Sequence, residues 1–234
     1  MTHIDDIKNW LETHSKADEN AQATHSNASP DRVEHRIAVP KMRAYLKVWV
    51  DDNKDTLTYD DWVKLLDALY HGQSLEERIM TGMLLSHFGD FRRRLSLSQL
   101  GVWLGQLDGW KEVDYTCQSV FVADEMLANW TAWDAFLCGL VRDDNVNKRR
   151  AGIVLLVRPV REHDDVRFVT LLLAQVELLK HEKDKRITKA ISWGLREAVK
   201  HNHTLIQDYV DVNADTLPAI AVRETRKKLT TGKK

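Results

Sequence analysis

The chain has 234 residues, 43% of them hydrophobic, with only 10 glycines and 4 prolines. A sizeable core can form, and the scarcity of turn residues favours helices over a multi-stranded β fold. Cys117 and Cys138 form no C-x-x-C pair, so neither a disulfide framework nor a zinc site is suggested.

No apolar run is long enough to span a bilayer, and the polar, acid-bearing N-terminus does not read as a signal peptide. Both cysteines lie in apolar helical stretches and read as buried free thiols, which fit a reducing compartment, so a soluble, cytoplasmic protein is expected. The net charge of −1 conceals an asymmetry: residues 1–140 carry 14 Lys and Arg against 22 Asp and Glu, and residues 141–234 carry 20 against 13. A basic C-terminal half hints at nucleic-acid contact, with a simple drift of surface charge as the plain alternative.

Residues 3–13 read as a short amphipathic helix, and residues 14–30, almost without apolar side chains, as a mobile connection. Pro40 suits a first helical turn, with Met42, Tyr45, Leu46 and Trp49 on one face. Thr58 caps the next helix, where Trp62, Leu65, Leu66 and Leu69 recur at helical spacing. Ser74 with Glu77 makes a capping box before Ile79, Met83, Leu84 and Phe88. Ser96-Leu97-Ser98 opens a helix carrying Leu100, Trp103, Leu104 and Leu107.

The turn Asp108-Gly109 leads into Trp110 and a helix through Val113, Cys117, Val120 and Phe121. Helices follow over Trp130–Val141, Val146–Val157, Val166–Leu179 and Ile187–Val199, with two shorter ones near 204–212 and 218–229. Short polar connections and a period of about 35–40 residues suggest paired helices. The expected fold is all-α, an α-α superhelix (solenoid) of HEAT-like or armadillo-like repeats, with a globular bundle as the competing arrangement. Residues 1–30 would form the N-terminal helix and polar connection, and 31–234 the repeat domain.

Trp110 and Asp114 stand at i and i+4, on one face of one helix, with Val113 and Cys117 on its buried stripe. A carboxylate one turn from an indole, with Trp193 as a second indole from far downstream, suits a cationic group. Lys148-Arg149-Arg150 and Arg196 suit a phosphate backbone. Taken alone, W-x-x-x-D is weak: Trp is most often core, and Asp near a helix start usually serves the helix dipole.

Other candidates have plain readings. His201 and His203 lack a partner at metal-ligand spacing and read as a solvated turn, so no metal is expected. Arg92-Arg93-Arg94 reads as following a helix C-terminus, where cations complement the macrodipole, with phosphate contact as a second reading. Trp49, Trp62, Trp103, Trp130 and Trp133 recur on apolar faces and read as core.

Several separate pieces resemble the AlkD-type DNA glycosylases, the HEAT-like-repeat enzymes of DNA alkylation repair. They are Val39-Pro40-Lys41-Met42-Arg43, Glu76-Glu77-Arg78, Gly109-Trp110-Lys111-Glu112-Val113-Asp114, Asn147-Lys148-Arg149-Arg150-Ala151, Lys189-Ala190-Ile191-Ser192-Trp193-Gly194-Leu195-Arg196-Glu197, and Leu217-Pro218 to Arg223-Glu224. They span about four-fifths of the chain. The segment Asp31–Val39 departs from the family in having no aromatic residue.

The resemblance implies a monofunctional glycosylase that excises cationic N3- and N7-alkylpurines, such as 3-methyladenine and 7-methylguanine, from duplex DNA in base excision repair. Asp114 would be the catalytic carboxylate, with Trp110 and Trp193 as flanking aromatics. Lys148, Arg149, Arg150 and Arg196 would contact the DNA backbone. No cofactor and no membrane are implied, and a monomer is expected. Two alternatives stay open: a non-catalytic relative that binds distorted DNA, and a helical protein-interaction scaffold.

Overall fold

A computed structural model describes residues 2–15, 32–118 and 120–233. The polar segment expected to be a connection falls mostly at 16–31, outside the described residues. Among the described residues there are fourteen helices and no strand; Val33 makes an isolated parallel bridge to Ser74. The protein is all-α, and it divides into two compact units, Met1–Thr116 and Cys117–Lys234.

The first unit contains α1 (His3–Thr13), α2 (Val39–Asn53), α3 (Tyr59–Tyr70), α4 (Leu75–His87), α5 (Gly89–Arg94), α6 (Leu97–Gly105) and α7 (Trp110–Cys117), which ends one residue past the unit boundary. The starts follow the capping chemistry of the sequence. Thr58 and Ser96 accept backbone N–H bonds from Asp61 and Gln99, and Ser74 forms the full capping box with Glu77. Pro40 lies in the first turn of α2.

The centre of this unit is α4, buried from Leu75 to Leu85 and packed by α2 and α3. Trp62 and Trp103 are fully buried, and Trp103 stacks on Tyr70 while its indole N–H donates to Asp67 at 3.0 Å. The arginine triplet is a correction: it forms the last turns of the six-residue α5, too short a helix to register as a periodic pattern. Arg92 donates to the Leu85 carbonyl at 2.8 Å, and Arg94 stacks over Tyr59.

The second unit contains α8 (Ala123–Ala128), α9 (Trp130–Leu140), α10 (Val146–Glu162), α11 (Val166–Leu179), α12 (Lys185–Ala198), α13 (His203–Val212) and α14 (Ala219–Thr231). Helices α10, α12 and α14 pack side by side, with α9, α11 and α13 each packed against the helix that follows. Starts at residues 130, 166 and 203 match the period of the sequence. The continuation of α10 through Pro159 to Glu162 was not expected, because an internal proline removes one helical hydrogen bond. Pro159 and Val160 are both buried, so the helix is held by packing.

Two core assignments need correction. Trp130 is half-buried, with the Arg167 guanidinium 5.4 Å from its ring centre. Cys138 is half-buried beside Asp134, while Cys117 is fully buried.

Candidate functional site

The eight residues of α7 contain two carboxylates with different surroundings. Glu112 is completely buried. Its Oε2 accepts the Asp108 N–H at 2.6 Å, and its Oε1 lies 3.2 Å from Arg32 Nε. Arg78, also buried, places its Nε 4.0 Å from Glu112 Oε2. Both arginines also donate to the Gln106 carbonyl, and Arg78 Nη2 donates to the Gly72 carbonyl at 3.0 Å. Burial pulls the Arg78 guanidinium below its ordinary pKa, and the Glu112 charge pulls it back up. The triad therefore ties the 106–109 turn and the first turn of α7 to α4 and to the segment before α2. Gly109 has the positive φ, +85°, that the sequence turn requires.

The other carboxylate, Asp114, is half-buried, and Trp110 one turn before it is 41% exposed. The Lys111 ammonium lies 6.0 Å from the Trp110 ring centre, at the outer limit of a cation–π contact. Apolar Val113 and Cys117 are fully buried, so α7 turns its hydrophobic stripe inward and leaves Trp110 and Asp114 with solvent access. Single exposed apolar side chains are ordinary on a protein surface, and Trp110 is a candidate because Asp114 lies one turn away on the same helix face.

The seat of α7 is set by Gly82 of α4. A Cβ added there would stand 2.1 Å from the Tyr115 carbonyl oxygen and 2.5 Å from its carbon. The two helices therefore approach backbone to backbone at the residue after Asp114. The Tyr70 hydroxyl adds a bond to Thr116 Oγ1 at 3.3 Å. Sequence reasoning missed Gly82, Arg32 and Arg78 as supports. Arg78 had one signal, the block Glu76-Glu77-Arg78, three consecutive charges at the start of α4, whereas Gly82 and Arg32 had none.

In the second unit Lys148, Arg149, Arg150 and Arg196 are engaged within the protein. Arg149 forms a two-pronged ion pair with Glu182, at 2.8 and 3.1 Å, and donates to the carbonyls of Asp143 and Asp144. Lys148 pairs with Asp143 at 2.9 Å. Burial pushes the Asp143 carboxyl up, but bonds from the Asn145 N–H and Lys148 outweigh it and hold the group below the ordinary range. Arg150, buried, donates to the Arg186 carbonyl at the start of α12.

On α12, Trp193 is half-buried, and Arg196 is buried with its Nε donating to the Ser192 carbonyl at 3.1 Å. Glu224 of α14 lies 3.5 Å from that Nε and accepts the Ser192 hydroxyl at 2.7 Å. Arg196 also lines a cleft of about 520 Å³ with Arg161, Lys200, His203 and Lys228, at the C-terminal ends of α10, α12 and α14. The histidine pair faces main-chain oxygens: His201 Nε2 lies 3.1 Å from the Arg161 carbonyl and His203 Nε2 3.2 Å from that of Leu229.

Among the described residues no helix is long and apolar enough to cross a membrane. No curated protein matches the chain. A solved structure, described as a predicted DNA alkylation repair enzyme from Enterococcus faecalis, superposes with a TM-score of 0.70 at 17% identity, covering 97% of this chain and 94% of that one. At that identity the likeness establishes a shared fold. The family model of DNA alkylation repair enzymes matches residues 7–229, nearly the whole length, and the chain therefore belongs to the DNA alkylation repair enzyme family.

Proposed function

We propose that the protein is a monofunctional DNA glycosylase that releases cationic N3- and N7-alkylpurines from duplex DNA. The observation that carries this reading is the division of labour on α7. Glu112 is buried and engaged by Arg32 and Arg78, whereas Asp114 keeps solvent access one turn from an exposed indole. A family that repairs alkylated DNA acts on bases that alkylation can make cationic, and a carboxylate with an indole suits such a base.

The chemistry asks little of the protein. An N3- or N7-alkylated purine already carries a positive charge, so its glycosidic bond is weakened, and the base departs as a neutral molecule with the bonding electron pair. No general acid is needed, unlike for a neutral sugar leaving group. The deoxyribose becomes oxocarbenium-like, and Asp114 stabilises that cation and orients a water. Water oxygen bonds to C1′, and its surplus proton passes to solvent. Trp110 and Trp193 flank the sugar and cationic base, each contributing about 0.5–2 kcal/mol.

Lys148, Arg149, Arg150 and Arg196 are the proposed cations for the phosphate backbone. Their present partners are carbonyls and carboxylates of the protein itself, so a phosphate contact adds to these bonds or exchanges with them. Neither cofactor nor metal is required, and a cytoplasmic monomer suffices. The test is incubation with methylated duplex DNA and quantification of released 7-methylguanine and 3-methyladenine. Absence of release, with duplex binding intact, would replace the enzyme by a DNA-binding relative.

A further inference from the structure

We propose that Arg36 is a DNA-backbone contact, presented by a strained turn that the buried carboxylate of Glu76 holds in place. This inference rests on the reading of the protein as a duplex-binding repair enzyme and adds a residue outside the proposed phosphate-contact set. The backbone of Arg36 has φ +57°, the only positive φ among described non-glycine residues. Arginine is costly in the left-handed region, where glycine, asparagine and aspartate are the usual occupants. Such a conformation persists only where its surroundings over-determine it.

Here they do. The Glu76 carboxylate, buried in α4, accepts the N–H of His35 at 3.0 Å on one oxygen and that of Ile37 at 3.3 Å on the other. The two bonds straddle Arg36. Val33 pairs with the chain at Gln73 and Leu75 on one side of the turn, and Ile37 is buried on the other. The backbone is thus fixed by a charged group, while the side chain that gains nothing from this is exposed. Among the described residues the Arg36 guanidinium has no hydrogen-bond or ion-pair partner.

Its location is relevant to the proposed chemistry. Arg32, four residues earlier, is bonded to Glu112, two residues before Asp114. Four residues reach at most about 14 Å, the span of about four base steps along a duplex strand. That span is the reach of the chain between Arg32, which is tied to α7, and Arg36, and an unpaired guanidinium on the same segment suits a phosphate near the target nucleotide, fixing register without reading sequence.

The test uses Arg36→Gly, Arg36→Gln and Arg36→Lys in the full chain, with unmodified and methylated duplex DNA. Glycine relieves the strain, so Arg36→Gly should raise the melting temperature by about 2–4 °C. The same variant should bind unmodified duplex several-fold more weakly and lower the slope of log affinity against log salt by about 0.9. Arg36→Gln should lose the slope without gaining stability, and Arg36→Lys should keep the slope. A merely structural arginine would move affinity and stability together or leave affinity alone. Parental affinity and slope in Arg36→Gly would overturn the proposal, as would a parent protein that does not bind duplex DNA. A parent that binds with the expected slope yet releases no base would overturn the glycosylase reading alone.

Discussion

Helices α7 and α12 each carry an indole of the proposed site, yet they are held by different physics. Fourteen-residue α12 is placed by its own cap and stripe: Asp184 caps it, and Ile187, Ala190, Ile191 and Leu195 bury themselves where it packs between α10 and α14. Eight-residue α7 is too short to be stable by local hydrogen bonding. It takes its position from charges supplied by Arg32 and Arg78 and from the missing side chain at Gly82. The proposed catalytic carboxylate, on a short helix, thus depends on residues far away in sequence, whereas the proposed aromatic of α12 is placed by its own helix's stripe.

Cutting the support of α7 should have the largest effect. Glu112→Ala leaves the buried Arg78 and the half-buried Arg32 without their anion, and breaking a buried ion pair costs about 3–5 kcal/mol. Chemical denaturation should show that loss, whereas Asp114→Asn should unfold like the parent. Equal stability of Glu112→Ala and the parent would dissolve the contrast between the two carboxylates.

Asp114→Asn comes next, with its effect on rate. Removing one well-placed electrostatic stabiliser commonly costs about 100-fold or more. Single-turnover release of 7-methylguanine, at matched saturation with DNA, should fall by that order. N7-alkylguanine should be more affected than N3-alkyladenine, which departs more readily unaided. A variant as fast as the parent would remove Asp114 from the mechanism.

Gly82→Ala tests whether α7 is positioned or merely present. The new methyl group cannot coexist with the Tyr115 carbonyl, so α7 must shift. A displacement of about 1 Å can cost on the order of 100-fold in rate. Release should slow while affinity for unmodified duplex, which the second unit's cations are proposed to support, changes little. Trp193→Ala should slow release by about tenfold, within the range expected for one cation–π wall.

The smallest effect is expected at the start of α12. Asp184→Ala removes a cap worth about 1 kcal/mol. Bonds from the Arg186 side chain hold the Asp184 carboxyl below the ordinary range. An acid with a lowered folded-state pKa contributes stability that is complete above its unfolded value, about 3.9, and is lost as pH falls through the folded one. The difference in melting temperature between Asp184→Ala and the parent should therefore be full at pH 7 and shrink below about pH 4.

By itself the sequence determined the helical class, most helix boundaries and the caps, because these follow from local chemistry: Thr58, Ser74 and Ser96 cap their helices as their side chains dictate. It also placed Trp110 and Asp114 on one helix face, since a four-residue spacing is enough for that. The short helices α5 and α8 were not legible, because six residues are too few to display a period. The sequence singled out Asp114 but carried no sign that Glu112 is buried and ion-paired. Both are acids in the first turns of one helix, and only the approach of Arg32, Arg78 and the Asp108 N–H assigns one of them to the interior. The tertiary structure likewise decided that Lys148 and Arg149 are ion-paired with Asp143 and Glu182, and that Arg36 occupies a glycine-like backbone conformation. Each of these depends on partners brought together from distant parts of the chain, and a linear pattern carries no record of such meetings.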